Sequence, residues 1–299
     1  MTIICEHLKG LYTAIVTPFT SDGRVDIEAL QALTRFQISA GVSGIVPIGG
    51  TGEYPALSRR ERRDIVAACV DAADGTPVIP GILATGYEDA LEAAIDFRKS
   101  GATAVMTVTP YYAPGDQAGM RAYFRRYRDD AGLPVLLYQT PRRTNVAAIP
   151  ECIQAMAEDG SIIGMKFSSM DIPDFIRTVR FAGDKIAILS GEEPLFATHV
   201  ALGARGGVLA SASLCPRTWL EIFALARSGD LTAALDHQRR IDPMIETIFL
   251  EMNPGPLKAL MAMVGKPMGS VRLPLLPPTR ATEEKLKATA DHCLALGIG

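Results

Sequence analysis

Cysteine is scarce in this 299-residue chain and badly spaced for any cross-link. Cys5, Cys69, Cys152, Cys215 and Cys293 are odd in number, lie more than sixty positions apart and form no C-x-x-C pair. That excludes a disulfide framework and a zinc ribbon. His7, His199, His237 and His292 are as scattered, with neither an H-E-x-x-H helix nor a Cys/His cluster, so the expected chemistry uses no metal. A surplus of one charge is also missing. Thirty Lys+Arg face 33 Asp+Glu, a net charge of −3, and no basic run is present to neutralise a phosphate backbone. Nucleic acid is therefore not an expected partner. No apolar run approaches the roughly eighteen residues of a membrane span, and Glu6 and Lys9 stand where a signal peptide needs an apolar stretch. These features predict a cytoplasmic protein with no membrane partner.

What is present is an ordinary core-forming balance, 48% hydrophobic against 21% charged residues. Short apolar runs bounded by Gly, Pro, Ser or Asp alternate with stretches of helical periodicity, the pattern of βα units and a parallel sheet. Eight runs read as strands: 12–17, 44–48, 77–82, 103–108, 134–138, 162–166, 186–189 and 207–210. Helices are expected between them, as over 27–40 with Asp26 as cap, over 58–73 with Ser58 and Glu61 spaced as a capping box, and over 88–100. Eight such units over 1–225 predict an α/β protein of the (β/α)8 barrel type rather than a doubly wound sheet. Segments 231–249, 256–264 and 283–296 read as a C-terminal helical appendage, 226–299, preceded in its last part by the proline-rich stretch 272–279. No linker or repeat separates them, so one structural unit is expected.

In such a barrel the working face lies at the C-terminal ends of the strands. Of eight lysines only Lys166, in SIIGMKFSS, closes a strand-like run; Lys185 precedes one, and Lys258 and the others fall in helices, near helix ends or in the N-terminal segment. An amine at a buried strand end must be paired or lose its proton, because burial disfavours the charged form. It then serves as a nucleophile that condenses with an oxo-acid carbonyl, or it snorkels from the rim to water. Tyr138 closes the preceding strand and faces either the same cavity, as a proton carrier, or the core. The turn Gly49-Gly50-Thr51-Gly52-Glu53 offers backbone N–H groups and a hydroxyl to an anion, or is simply a tight strand-to-helix turn. It is neither a dinucleotide fingerprint nor a Walker loop.

Together these residues resemble the pyruvate-dependent class I aldolases, the family of dihydrodipicolinate synthase and N-acetylneuraminate lyase. The resemblance spans nearly the whole chain. It rests on Thr17-Pro18-Phe19, the G-x-T-G-E turn, TPYY at 109–112, LPVLLYQTP, IIGMK, LSG at 189–191 and NPGPLK at 253–258. It implies a cofactor-free barrel lyase whose Lys166 forms a Schiff base with pyruvate or the pyruvyl end of a longer 2-oxo acid. Tyr138 would transfer the proton. Thr51, with the N–H groups of Thr51 and Gly52, would hold the substrate carboxylate, and Gly191 and Leu209 would line the pyruvyl pocket. Tyr112 would reach across a subunit interface, implying a homo-oligomer, a dimer of dimers. Arg143 falls where synthases carry the arginine that receives a second carboxylate, with Arg142 beside it as a decoy.

The chain also departs from the family pattern. Gly50 stands where most members have Thr or Ser, which removes the hydroxyl linking two tyrosines in a proton relay. FSSMD follows the lysine in place of the synthases' E-A-T-G-x, and Arg59 and Arg62 stand near positions where feedback-regulated synthases have histidines, so lysine inhibition is not expected. The substrate stays open between the synthase reaction, pyruvate with aspartate semialdehyde, and cleavage or dehydration of a 2-keto-3-deoxy sugar acid, 4-hydroxy-2-oxoglutarate or a sialic acid. Rivals from other classes are a non-catalytic 2-oxo-acid-binding protein and a phosphate-binding barrel; the latter is disfavoured because Gly203 to Gly207 enter the eighth strand from the wrong end.

Overall fold

The computed structural model describes residues 3–298. Its eight strands are β1 (Gly10–Ala14), β2 (Gly44–Val46), β3 (Gly81–Ile82), β4 (Val105–Val108), β5 (Val135–Gln139), β6 (Gly164–Phe167), β7 (Ala187–Ser190) and β8 (Gly206–Leu209). All pair in parallel, in the order β2-β1-β8-β7-β6-β5-β4-β3. The ring closes between β2 and the residues before β3, through a parallel bridge of Ile45 with Val78 and a bond from Ile79 N to the Ile45 carbonyl (2.8 Å). β3 is shorter than the run 77–82 suggests because Pro77 and Pro80 have no N–H to give to a ladder.

The helices follow their strands: α1 (Ile27–Ala40), α2 (Arg59–Ala72), α3 (Tyr87–Lys99), α4 (Gln117–Ala131), α5 (Pro141–Thr144), α6 (Pro150–Glu158), α7 (Ile172–Ala182), α8 (Phe196–Ala201) and α9 (Pro216–Arg227). Asp26 caps α1 by accepting from Ala29 N, and Ser58 with Glu61 forms the reciprocal box at α2. Three further helices, α10 (Leu231–Ile248), α11 (Gly255–Met263) and α12 (Arg280–Ala295), pack on one another and, through α10, on α8 and α9. α12 begins three residues before its expected start because the Thr279 side chain accepts from Thr282 N. No described helix is long and apolar enough to cross a membrane.

Strand side chains alternate between two cores, as the two-residue period requires. Leu136 and Tyr138 of β5, Leu189 of β7 and Val208 of β8 pack inside the barrel; Leu137, Met165, Phe167, Ile188 and Leu209 pack outward among the helices. This parity corrects one expectation. Leu209, expected to line the pocket, is turned into the outer core, and Ala210, just beyond β8, lines the cavity instead.

Candidate active site

Lys166 sits one residue before the end of β6, in register with Tyr138 on β5 and Leu189 on β7. Only 8% of it is exposed, and among the described residues its Nζ makes no hydrogen bond or ion pair. It lies 4.9 Å from the centre of the Tyr138 ring. Gly191 gives the lysine its passage: a Cβ there would strike Lys166 Cε at 2.6 Å and overlap Ser168 Oγ. The residue type at 191 is thus set by close approach rather than by the turn.

Two buried carboxyls lie close behind. Glu193 Oε1 accepts from Ala210 N (2.7 Å) and Ser211 N (3.2 Å). Burial pushes its pKa up, and the Lys166 ammonium opposes that rise. Glu192 is also pushed up by burial and opposed chiefly by Arg142, whose Nη2 stands 3.7 Å from Glu192 Oε1.

The glycine turn after β2 is built for close contact. Gly52 admits no Cβ, which would lie 2.5 Å from Ile48 N, and a Cβ on Gly81 would meet Gly49 Cα at 2.8 Å. Gly50 differs: a Cβ there would meet nothing within 4 Å. Thr17 Oγ1 donates to the Gly52 carbonyl (2.7 Å), and Asn253 Nδ2 donates to Thr51 Oγ1 (2.9 Å). Among the described residues the N–H groups of Thr51 and Gly52 have no acceptor. The Thr51 amide and hydroxyl, beside a buried lysine, are donors that an anion in the cavity could meet.

Lys166, Tyr138, Gly50, Thr51, Gly191, Arg142 and Arg143 therefore converge on one cavity of about 40 Å³, with Ser168, Glu193 and Asn253 in its wall. Gly52 shapes the turn from beneath and does not line the space. Arg142, expected as a decoy, also lines it. Arg143 Nη1 touches only the thioether of Met252 (3.0 Å), a weak acceptor, and so remains available to an anion. Tyr112 lies outside, 85% exposed, while its neighbour Tyr111 lines an adjoining chamber of about 300 Å³ that shares Gly50, Tyr138, Arg143 and Asn253 with the inner cavity.

Three features escaped the sequence reading. Lys258, set aside as a helix lysine, is 2% exposed; its Nζ donates to Glu53 Oε1 (2.8 Å) and to the Ser270 carbonyl (2.9 Å). Burial lowers its pKa and Glu53 opposes the fall. It is a neutralised structural cation, unlike Lys166. Asn253 was visible only as part of the NPGPLK resemblance. Glu193 had a faint signal, its position just after the strand-final Leu189-Ser190-Gly191. Among the described residues, no group of three or more His, Cys, Asp or Glu is placed to hold a metal ion.

A closed parallel barrel with an unpaired lysine and a tyrosine at adjacent strand ends defines a lyase of the class I aldolase type. The chain belongs to the Dihydrodipicolinate synthetase family, whose model matches residues 7–293. The 4-hydroxy-tetrahydrodipicolinate synthase of Anaeromyxobacter dehalogenans is 36% identical over 284 residues, 94% of this chain and 96% of that one. That of Thermodesulfovibrio yellowstonii is 34% identical over 279 residues, 93% and 96% of the two chains. Among solved structures, the chloride-inhibited dihydrodipicolinate synthase of Acinetobacter baumannii complexed with pyruvate superposes with a TM-score of 0.93 at 30% identity, covering 98% of this chain and 100% of that one.

Proposed function

We propose that this enzyme is a Schiff-base lyase acting on pyruvate or the pyruvyl end of a 2-oxo acid, similar to the synthases it resembles. The observation that carries the reading is the buried, unpaired Lys166 amine beside Tyr138. In the addition direction, the Lys166 nitrogen, once it has given up a proton, attacks the ketone carbon of pyruvate, and loss of water leaves an imine. The C3 proton then passes to the Tyr138 oxygen as the proton carrier, its electron pair held by the imine, and the resulting enamine carbon attacks an aldehyde. Tyr138 protonates the new alkoxide, and water hydrolyses the imine to free Lys166. Cleavage runs the same steps backwards. The substrate carboxylate sits against the Thr51 hydroxyl and the free Thr51 N–H, and Arg143 meets an anionic group on the far side of the reacting carbon. The imine itself is the electron sink, so this scheme calls on no cofactor.

The exposed Tyr112 supports a homo-oligomer, a dimer of dimers in which this phenol enters a neighbouring site. A monomer in sedimentation equilibrium at working concentration would remove that part. The five unpaired cysteines support a cytoplasmic location. The central test is borohydride reduction with pyruvate followed by peptide mapping. The expected adduct is confined to Lys166 and absent from Lys166→Ala; trapping at another lysine, or none with any 2-oxo acid, overturns the reading.

A further inference from the structure

The chamber beyond Tyr138 has a character that the lysine and the Thr51 donors do not explain. Its walls are Pro55, Leu83, Val108, Met252, Pro274 and Leu275, and it encloses about 300 Å³. An apolar cavity of about 150 Å³ already holds benzene.

Its polar residues are largely committed to the protein. Glu53 Oε1 takes Lys258 and Oε2 takes the Arg272 N–H (2.9 Å). The Arg272 guanidinium is spent on the Gly23 and Ala56 carbonyls and on Glu61 (2.7 Å). Thr144 Oγ1 bonds to the Thr140 and Val146 carbonyls, and the Tyr111 hydroxyl to the Leu83 carbonyl (3.3 Å). Within one chain, what faces a ligand is therefore mostly apolar surface, with the Arg143 guanidinium, the Tyr138 and Thr140 hydroxyls and the Asn253 side chain. A polyhydroxylated chain would lose its water here and find few partners, and an ammonium group would find no free carboxylate. Gly50 widens the passage from the lysine, since the space its side chain would occupy is open.

We infer that the second substrate is an aldehyde whose body is an apolar ring or branched chain, carrying at most one anionic group for Arg143. This rests on the Schiff-base reading of Lys166 and names the acceptor of the same site. The reaction balances without an oxidant. C3 of the pyruvate enamine bonds to the aldehyde carbon, the C=O pair becomes an alkoxide that takes a proton, and hydrolysis releases a 4-hydroxy-2-oxo acid carrying the apolar group.

The test uses the full chain with pyruvate fixed and benzaldehyde, glyceraldehyde or aspartate semialdehyde varied. Benzaldehyde should show a kcat/KM at least tenfold above the other two. Leu275→Asn, at a half-buried wall position, should lower the benzaldehyde value about tenfold, in line with the sensitivity of apolar pockets to a single methylene. Leu275→Met should restore most of it. Preference for glyceraldehyde or aspartate semialdehyde, with trapping at Lys166 intact, overturns the acceptor assignment alone. Absence of trapping at Lys166 overturns the Schiff-base reading, and this inference falls with it.

Discussion

At the scale of single residues, chemistry here depends on which polar groups are left without protein partners. Lys166 and Lys258 are both buried, but Lys258 is neutralised by Glu53 while the Lys166 amine faces an aromatic ring and open space. Sequence position at a strand end singled out Lys166 as either a nucleophile or a lysine snorkelling to the rim; the absence of a counter-ion on it came from packing. Gly50 is the residue whose effect is most directly testable. Because a Cβ there meets nothing within 4 Å, Gly50→Thr should fold normally and place a hydroxyl in the cavity. The expected result is faster exchange of the pyruvate methyl protons in heavy water, by about tenfold or more, within the range of positioned acid–base groups. Unchanged exchange would mean that another group already moves that proton.

Between elements, the site is held by ties that run from the C-terminal helices to the turn after β2. Asn253, just before α11, donates to Thr51, and Lys258 within α11 pairs with Glu53. The appendage is therefore a wall of the active site as well as a cover for the barrel. Lys258→Met should leave the Glu53 carboxylate buried without its cation and lower stability by about 3–5 kcal/mol. Adding Glu53→Gln should recover a large part of that loss. Urea unfolding of both variants checks the pair; a single variant within 1 kcal/mol of wild type would show the pair to be dispensable. Local signals at this scale were well legible: Asp26, Ser58 and Glu61 cap where the residue pattern placed them. The ends of β1 and β3 were less so, because ladder membership depends on the neighbouring strand and on which residues can donate an N–H.

For the molecule as a whole, stability should depend on pH through His199. This side chain is fully buried, stacked on Phe175 at 4.0 Å and bonded to Ser190 Oγ (2.8 Å), and burial lowers its pKa from 6.5 to about 4. The folded state binds the proton less readily than the unfolded chain. As pH falls from 6.5 towards 4 the unfolded chain is protonated first, and folding stability declines by roughly 3 kcal/mol across that window. Above pH 6.5 the effect is absent. Unfolding free energies from pH 7 to 4 should show this slope in the wild type and lose it in His199→Asn; equal slopes would exclude His199 as the cause.

Strand-helix alternation, the caps, the strand-final lysine and tyrosine and the glycine turn are local properties, written in spacing and residue type, so the sequence alone determined the barrel and the likeness to a family of lyases. Contacts between residues far apart in the chain belong to the tertiary structure. Asn253 meets Thr51 across 202 positions and Lys258 meets Glu53 across 205. Strand parity turned Leu209 outward and left Ala210 at the cavity. The apolar character of the outer chamber was likewise decided there, because Leu83, Met252 and Leu275 come from separate segments and share a wall only when the barrel closes and the C-terminal segment folds across its mouth.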